Sequence, residues 1–344
     1  MMLDVTFLQG LWFILIAVLI IGYFILDGFD LGIGVLYPFL GKNERDKAIM
    51  RRAVGPVWDG NEVWLLTAGG ALFAAFPPAY ATSFSGFYLA IMLVLFGLIA
   101  RAVSIEFRHH DPALSKVWDA FFFIGSLLPA LLFGVAIGNI LGGIELNANG
   151  DYTGGFFALL NPFALMCGLL GLAQMILLGA SWITVKTDVG ETLHKTAKKI
   201  RTVFSFVVII GFVVASLLYC TSPAFSFTGD ISDILAIVCA ILTIACPLIS
   251  LLFAAKGRDL ASHIALSVTC VGLIGLTAAG LFPYIIPATD PLLSITIAAS
   301  ASSEYALTAM TIITAIGLPL VLLYHVIVYR TFRGKITDED LKNY

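Results

Sequence analysis

Residues 7–37 read FLQGLWFILIAVLIIGYFILDGFDLGIGVLY. A bilayer core of about 30 Å takes about 20 apolar residues of helix. This run meets that length before its first charge, Asp27, and stays apolar afterwards apart from Asp30. The reading is a membrane helix with carboxylates inside it. The rest of the chain agrees: of 344 residues, 60% are hydrophobic and only 12% charged, with a mean hydropathy of +0.99. Soluble domains carry about 45–50% apolar and about 25% charged residues. So few charges could not cover a soluble surface of this size. They also leave no basic patch of the kind nucleic acid requires and no disordered segment.

Eight further apolar runs follow, at about 53–76, 79–103, 117–141, 162–185, 203–220, 231–255, 260–282 and 305–329. All nineteen Lys and Arg fall after the odd-numbered runs, within 42–52, 101–116, 186–201, 256–258 and 330–342. Basic residues concentrate in cytoplasmic loops. The expectation is an all-α polytopic membrane protein of nine transmembrane helices, with the N-terminus outside and the C-terminus cytoplasmic. The first run is expected to remain as a span, since it is too long for a signal peptide and lacks a basic leader. The longest outside loops, about 142–161 and 283–304, are too short for a folded domain. Gly28-x-x-x-Gly32 and Gly134-x-x-x-Gly138 are small-residue patterns for close helix packing.

Cysteine and histidine narrow the chemistry. None of the five cysteines forms a C-x-x-C, so zinc and dithiol chemistry are unsupported. A membrane haem usually takes axial His or Met at depth. His109, His110 and His194 fall in basic loops, and His263 and His325 lie near the ends of their runs. No haem or metal is therefore expected to be ligated by this chain.

The carboxylates carry more. An ionisable side chain inside a bilayer is costly and is a functional candidate by default. Asp27 and Asp30 in the first run, and Asp59 and Glu62 in the second, are each spaced i, i+3, on one helix face. With about 1.5 Å of rise per residue, Asp59 would lie about 9 Å and Glu62 about 13 Å beyond residue 53. No Lys or Arg is expected deep enough within the spans to neutralise four such charges. Arg101, at the end of the third run, is the nearest. Burial and like-charge proximity favour the neutral acid, so some of the four are expected to be protonated at neutral pH, as a proton relay requires. Two plainer readings stand beside this one. The first helix could stop near Leu26, leaving Asp27 and Asp30 at the surface. Asp59 and Glu62 could be interfacial, paired with Arg51 or Arg52, with Trp58 a simple boundary anchor.

Asp27-Gly28-Phe29-Asp30-Leu31-Gly32 and Trp58-Asp59-Gly60-Asn61-Glu62-Val63-Trp64-Leu65 together resemble subunit II of the cytochrome bd quinol oxidases. The segment from Ala68 to Pro77, Gly125-Ser126 with Pro129, Gly134, Gly138, Asn139, and Asn161-Pro162-Phe163 are similar to the family pattern as well. The resemblance implies a prokaryotic cytoplasmic-membrane complex with a haem-binding subunit I, which holds the b and d haems and oxidises quinol while oxygen is reduced to water. It implies a single membrane domain in this chain, 1–344. Within it, two four-helix bundles (about 7–141 and 162–282) are joined by a peripheral ninth helix (305–329) and a tail (330–344). A structural quinone occurs in some members, and small single-span accessory subunits are possible partners, with membrane lipids. The acids of the two motifs, Asp30 and Asp59 first, then Asp27 and Glu62, correspond to a proton path. Trp58, Asn61, Trp64 and Arg101 are the candidates for the face toward the haem subunit. Position 62 is a neutral amide in some relatives, and the outside loop after the sixth run is shorter than in some members. The competing readings are an independent proton-coupled transporter and a purely structural scaffold subunit.

Overall fold

The computed structural model describes residues 5–221 and 230–342 and is almost wholly helical. The opening run forms α1 (Phe7–Leu40), started by a capping box in which Thr6 and Gln9 satisfy each other's backbone N–H. Helix α1 does not stop near Leu26: residues 27–37 are helical and buried throughout. A polar helix, α2 (Glu44–Val54), follows, capped by Asn43. It ends at Gly55-Pro56, and α3 (Trp58–Ala75) starts afresh. Pro56 has no N–H to continue the ladder and disfavours helix in the residue before it.

The chain then forms α4 (Pro77–Gly86) and α5 (Tyr88–His110). The third apolar run is thus divided at Phe87, and its long helix begins and ends later than hydropathy suggested. Helices α6 (Ser115–Gly142), α7 (Pro162–Lys186), α8 (Thr192–Cys220), α9 (Ile231–Ala255) and α10 (Asp259–Leu281) follow the expected runs, except that α8 starts about three turns early. After α10 come β1 (Tyr284–Ile286), β2 (Ile295–Thr296), α11 (Ile297–Ser300), α12 (Glu304–Thr331) and α13 (Asp338–Lys342). The short outside loop expected after the sixth run lies outside the described residues. Among the described residues, eight helices are long and apolar enough to cross a membrane: α1, α5 to α10, and α12. Helix α3 falls short of that standard because its first two turns carry Asp59, Asn61 and Glu62.

Helix α1 is the hub, lying against α3, α6, α7, α10 and α12. Its approach to α7 is backbone on backbone. A Cβ on Gly32 would sit 1.8 Å from the Met175 carbonyl oxygen, and one on Gly179 would sit 2.5 Å from the Gly32 carbonyl carbon. Helix α12 is the least covered, and Trp12 Nε1 holds it by donating to Leu307 O (3.2 Å) and Thr311 Oγ1 (3.0 Å).

The two longer loops are not independent domains, yet they fold onto each other. Strand β1 pairs antiparallel with β2, and Ile144 bridges to Ala288. Ile144, Leu159, Ile286 and Ile297 then bury a small core against Trp12 and Phe76. Hydropathy could not show this, because the partners come from segments over 120 residues apart.

The close approach of α1 and α7 predicts a contrast. Gly32→Ala puts a methyl group into backbone that cannot step aside, and should cost about 1–3 kcal/mol. Gly317→Ala, with open space around it, should stay within about 0.5 kcal/mol. Thermal melts of the detergent-solubilised variants check this, and equal melting points would refute it.

Candidate functional site

Helix α1 sets Asp27 and Asp30 one turn apart, and α3 brings Asn61 and Glu62 toward them in its first two turns. Helix α5 delivers Arg101 from about 13 Å inside its C-terminal end. Asp27, Asp30, Asn61 and Arg101 are each 0–1% exposed, whereas the Glu62 side chain keeps 19% of its surface.

The guanidinium is the centre of this group. Arg101 Nη1 donates to Asp27 Oδ2 at 3.0 Å, and Nη2 lies 2.8 Å from Asp27 Oδ1, a two-pronged ion pair. Nη2 also reaches Glu62 Oε2 at 3.3 Å. Arg101, expected as the nearest basic residue, is thus the partner of two of the four acids, and one guanidinium cannot neutralise four. Arg101 is an interior residue of α5, because that helix starts after Phe87 and runs on to His110.

Asp30 is held by a separate set of bonds. Its Oδ2 accepts from Asn61 Nδ2 at 2.8 Å, and the same amide donates to Leu26 O at 3.0 Å. Asn61 Oδ1 accepts from the Tyr329 hydroxyl of α12 at 2.9 Å, so three helices fix the orientation of that amide. Asp30 Oδ1 is buried without a hydrogen-bond partner, as is the hydroxyl of Tyr23, which lies near Asp27.

Asp59 stands apart. The break at Gly55-Pro56 makes it the second residue of α3 rather than one about 9 Å deep, and it is exposed. A carboxylate there meets the positive end of the helix dipole. Neither Asp59 nor Glu62 is seen paired with Arg51 or Arg52: Arg51 donates to the Tyr37 hydroxyl, and Arg52 lies over the Phe332 ring at 5.4 Å. Trp58 packs, partly buried, against the main core. Trp64 is buried and donates through Nε1 to His325 Nε2 at 3.2 Å, while His325 Nδ1 lies 2.9 Å from Val321 O. One tautomer satisfies both contacts, with the proton on Nδ1.

Three members of this neighbourhood were missed in the sequence. Tyr23 stands four residues before Asp27 on the same helix face, a readable signal. Tyr329 and His325 come from the far end of the chain and carry no local signal. Among the described residues, no group of three or more His, Cys, Asp or Glu is placed to hold a metal ion.

Removing one partner of a buried ion pair strands the other charge, at about 3–5 kcal/mol. Arg101→Leu should therefore lower thermal stability sharply. Adding Asp27→Asn in the same chain should restore part of the loss. A double variant no more stable than Arg101→Leu alone would remove the pair from the account.

The family model described as cytochrome bd terminal oxidase subunit II matches residues 8–332. A probable cytochrome oxidase subunit 2 from Haemophilus influenzae is 36% identical over 97% of both chains. The Escherichia coli K12 cytochrome bd-I ubiquinol oxidase subunit 2 is 35% identical over 99% of this chain and 98% of its own. The Bacillus subtilis cytochrome bd ubiquinol oxidase subunit 2 is 34% identical over 98% of this chain and 99% of its own. The fold is similar to the bd oxidase structure from Geobacillus thermodenitrificans, with a TM-score of 0.78 at 16% identity over 95% of this chain and 99% of that one. This multi-pass membrane chain belongs to the cytochrome bd terminal oxidase subunit II family, whose members are subunits of quinol oxidases.

Proposed function

We propose that this chain is the haem-free second subunit of a bd-type quinol:oxygen oxidoreductase, supporting a haem-bearing subunit I and conducting cytoplasmic protons toward it. The observation that carries this reading is Asp30 Oδ1, a buried carboxyl oxygen left without a partner beside an acid-rich cluster. One guanidinium balances one of the three carboxylates Asp27, Asp30 and Glu62, and a buried uncompensated carboxylate is too costly to persist. Two charges are left over: Glu62 keeps part of its surface exposed, and a proton on Asp30 removes the fully buried one. Asn61, itself held by Tyr329, keeps that acid in place.

The entry side follows from the same geometry. Asp59 is exposed at the start of α3, and Glu62, one turn further, is partly exposed and touches Arg101. A proton arriving at Asp59 would pass Glu62 before meeting the Asp27–Asp30 face. The haems of the partner would supply the electron transfer and oxygen reduction, and the residues of this chain would hold or move protons only. This direction assumes nine crossings, with α3 the ninth, and the basic loops on the cytoplasmic side. Arg101 supports that count by giving Glu62 of α3 a buried partner. Helices α1 to α6 and α7 to α10 would then form the two bundles, with α12 at the periphery, its apolar face open to lipid or a single-span accessory subunit.

A structural quinone fits one further feature. A cavity of about 270 Å³ is lined by Phe24, Gln174, Phe212, Tyr219 and Cys270, among others. Gln174 Oε1 is buried there without a partner, so a quinol hydroxyl would find an acceptor.

A scaffold role is favoured for one residue, Asp27, whose buried ion pair with Arg101 ties α1 to α5. The readings separate by experiment. Under the relay, Asp30→Asn and Asp59→Asn should assemble with normal haem absorption yet lower quinol-dependent oxygen uptake about tenfold or more. Unchanged turnover and proton uptake in both variants would sink the relay and leave only the scaffold.

A further inference from the structure

The ends of α2, α7 and α12 surround a small cleft of about 100 Å³ that the proton path does not use. Its polar wall holds Arg52, Lys186, Arg333 and Lys335, with Asp340 as the acid among them. The segment after α12 is strapped across the last turn of α7. Ile336 N–H donates to Lys186 O at 2.8 Å, Lys335 Nζ to Thr184 O at 3.0 Å, and Lys186 Nζ to Phe332 O at 2.5 Å. These bonds satisfy carbonyls that a helix end leaves open, and they gather the cations.

Lys186 and Lys335 are held by neutral groups. Lys186, only 7% exposed, rests on a carbonyl and the Trp182 ring at 5.0 Å, and Arg52 lies over the Phe332 ring. Thr337 donates its backbone N–H and hydroxyl to Asp340 Oδ2. These bonds, then Arg52 and Lys186, hold the Asp340 carboxyl below its ordinary range, so it is ionised and offsets one of the four positive charges. Arg52 aside, Lys186, Arg333 and Lys335 leave two in excess among the described residues, one of them a nearly buried ammonium. Each ammonium has three donors, and Lys186 and Lys335 each give one to a carbonyl. An anion with several acceptor oxygens answers both needs.

We propose that this cleft binds the phosphate of an anionic phospholipid headgroup. The shared chemistry is a phosphate group, and the surroundings favour lipid over free phosphate. The cleft lies where apolar helices end, with Trp182 and Tyr329 in its wall. Aromatic rings at that level with cations just beyond are the arrangement of a membrane boundary, and basic pockets between helix ends hold anionic headgroups. The small cleft takes the phosphate, while the acyl chains run along the exposed apolar flank of α12.

Native mass spectrometry of the delipidated two-subunit complex tests this with phosphatidylglycerol, phosphatidylcholine and inorganic phosphate as separate probes. The wild-type complex should bind one phosphatidylglycerol at least tenfold more tightly than phosphatidylcholine. Arg333→Gln with Lys335→Gln should weaken that binding about tenfold or more, while Lys256→Gln, an exposed cation outside the cleft, should not. The wild-type preference needs no variant to fold. Equal binding of the two lipids, retention of inorganic phosphate alone, or phosphatidylglycerol binding untouched by the double variant would each overturn the proposal.

Discussion

A buried guanidinium holds the first half of this protein together. Arg101 on α5 grips Asp27 on α1 with two nitrogens and reaches Glu62 on α3. Three helices thereby share one fixed point. Burying such charges is expensive, and a buried pair adds little net stability over apolar residues of the same volume. What the pair supplies is register: Asp27 facing Arg101 sets the rotation of α1 and with it Asp30, and Glu62 facing Arg101 sets that of α3 and with it Asn61 and Trp64.

That fixed point depends on two interruptions. Gly55-Pro56 ends α2, so α3 begins at Trp58 with its acids in the opening turns. Phe87 divides α4 from α5, and the restart carries Arg101 to the level of Asp27. Without the first break Asp59 would lie inside a longer helix, and it is the run of α5 on to His110 that keeps Arg101 away from a helix end. On the opposite side of α1, the glycine contact with α7 brings two backbones together, leaving the acid face of α1 free to point at α3 and α5.

Much of this was legible in the sequence, and what was hidden has a common cause. Long apolar runs give helix existence directly, and an acid inside one is conspicuous, so the burial of Asp27 and Asp30 could be read from residues 7–37. Hydropathy averages over many residues, so it cannot register a break two residues wide. It therefore misplaced Asp59 by the distance from Ala53 to Trp58 and put Arg101 at a helix end. Contacts such as Trp64 with His325, Asn61 with Tyr329, or Ile144 with Ala288 depend on segments meeting in space, which no local pattern records.

The second half of the chain buries a guanidinium too, and the comparison bears on function. Arg201 lies inside α8, fully buried, because that helix begins at Thr192 rather than after the basic loop. Its Nη1 donates to Thr184 Oγ1 at 2.8 Å and to Asp259 Oδ1 at 3.0 Å. One cation here meets one acid, which leaves no surplus charge and no need for a proton. Around Arg101, one cation meets Asp27 and Glu62, with Asp30 beside them. The two halves have the same means of anchoring a helix, but only the first carries more acid than its guanidinium can neutralise. A group that only anchors has no use for that excess, which costs stability. Among the described residues that excess stands beside Arg101 and not beside Arg201, which is the physical ground for proposing proton traffic along α1, α3 and α5 rather than α7, α8 and α10.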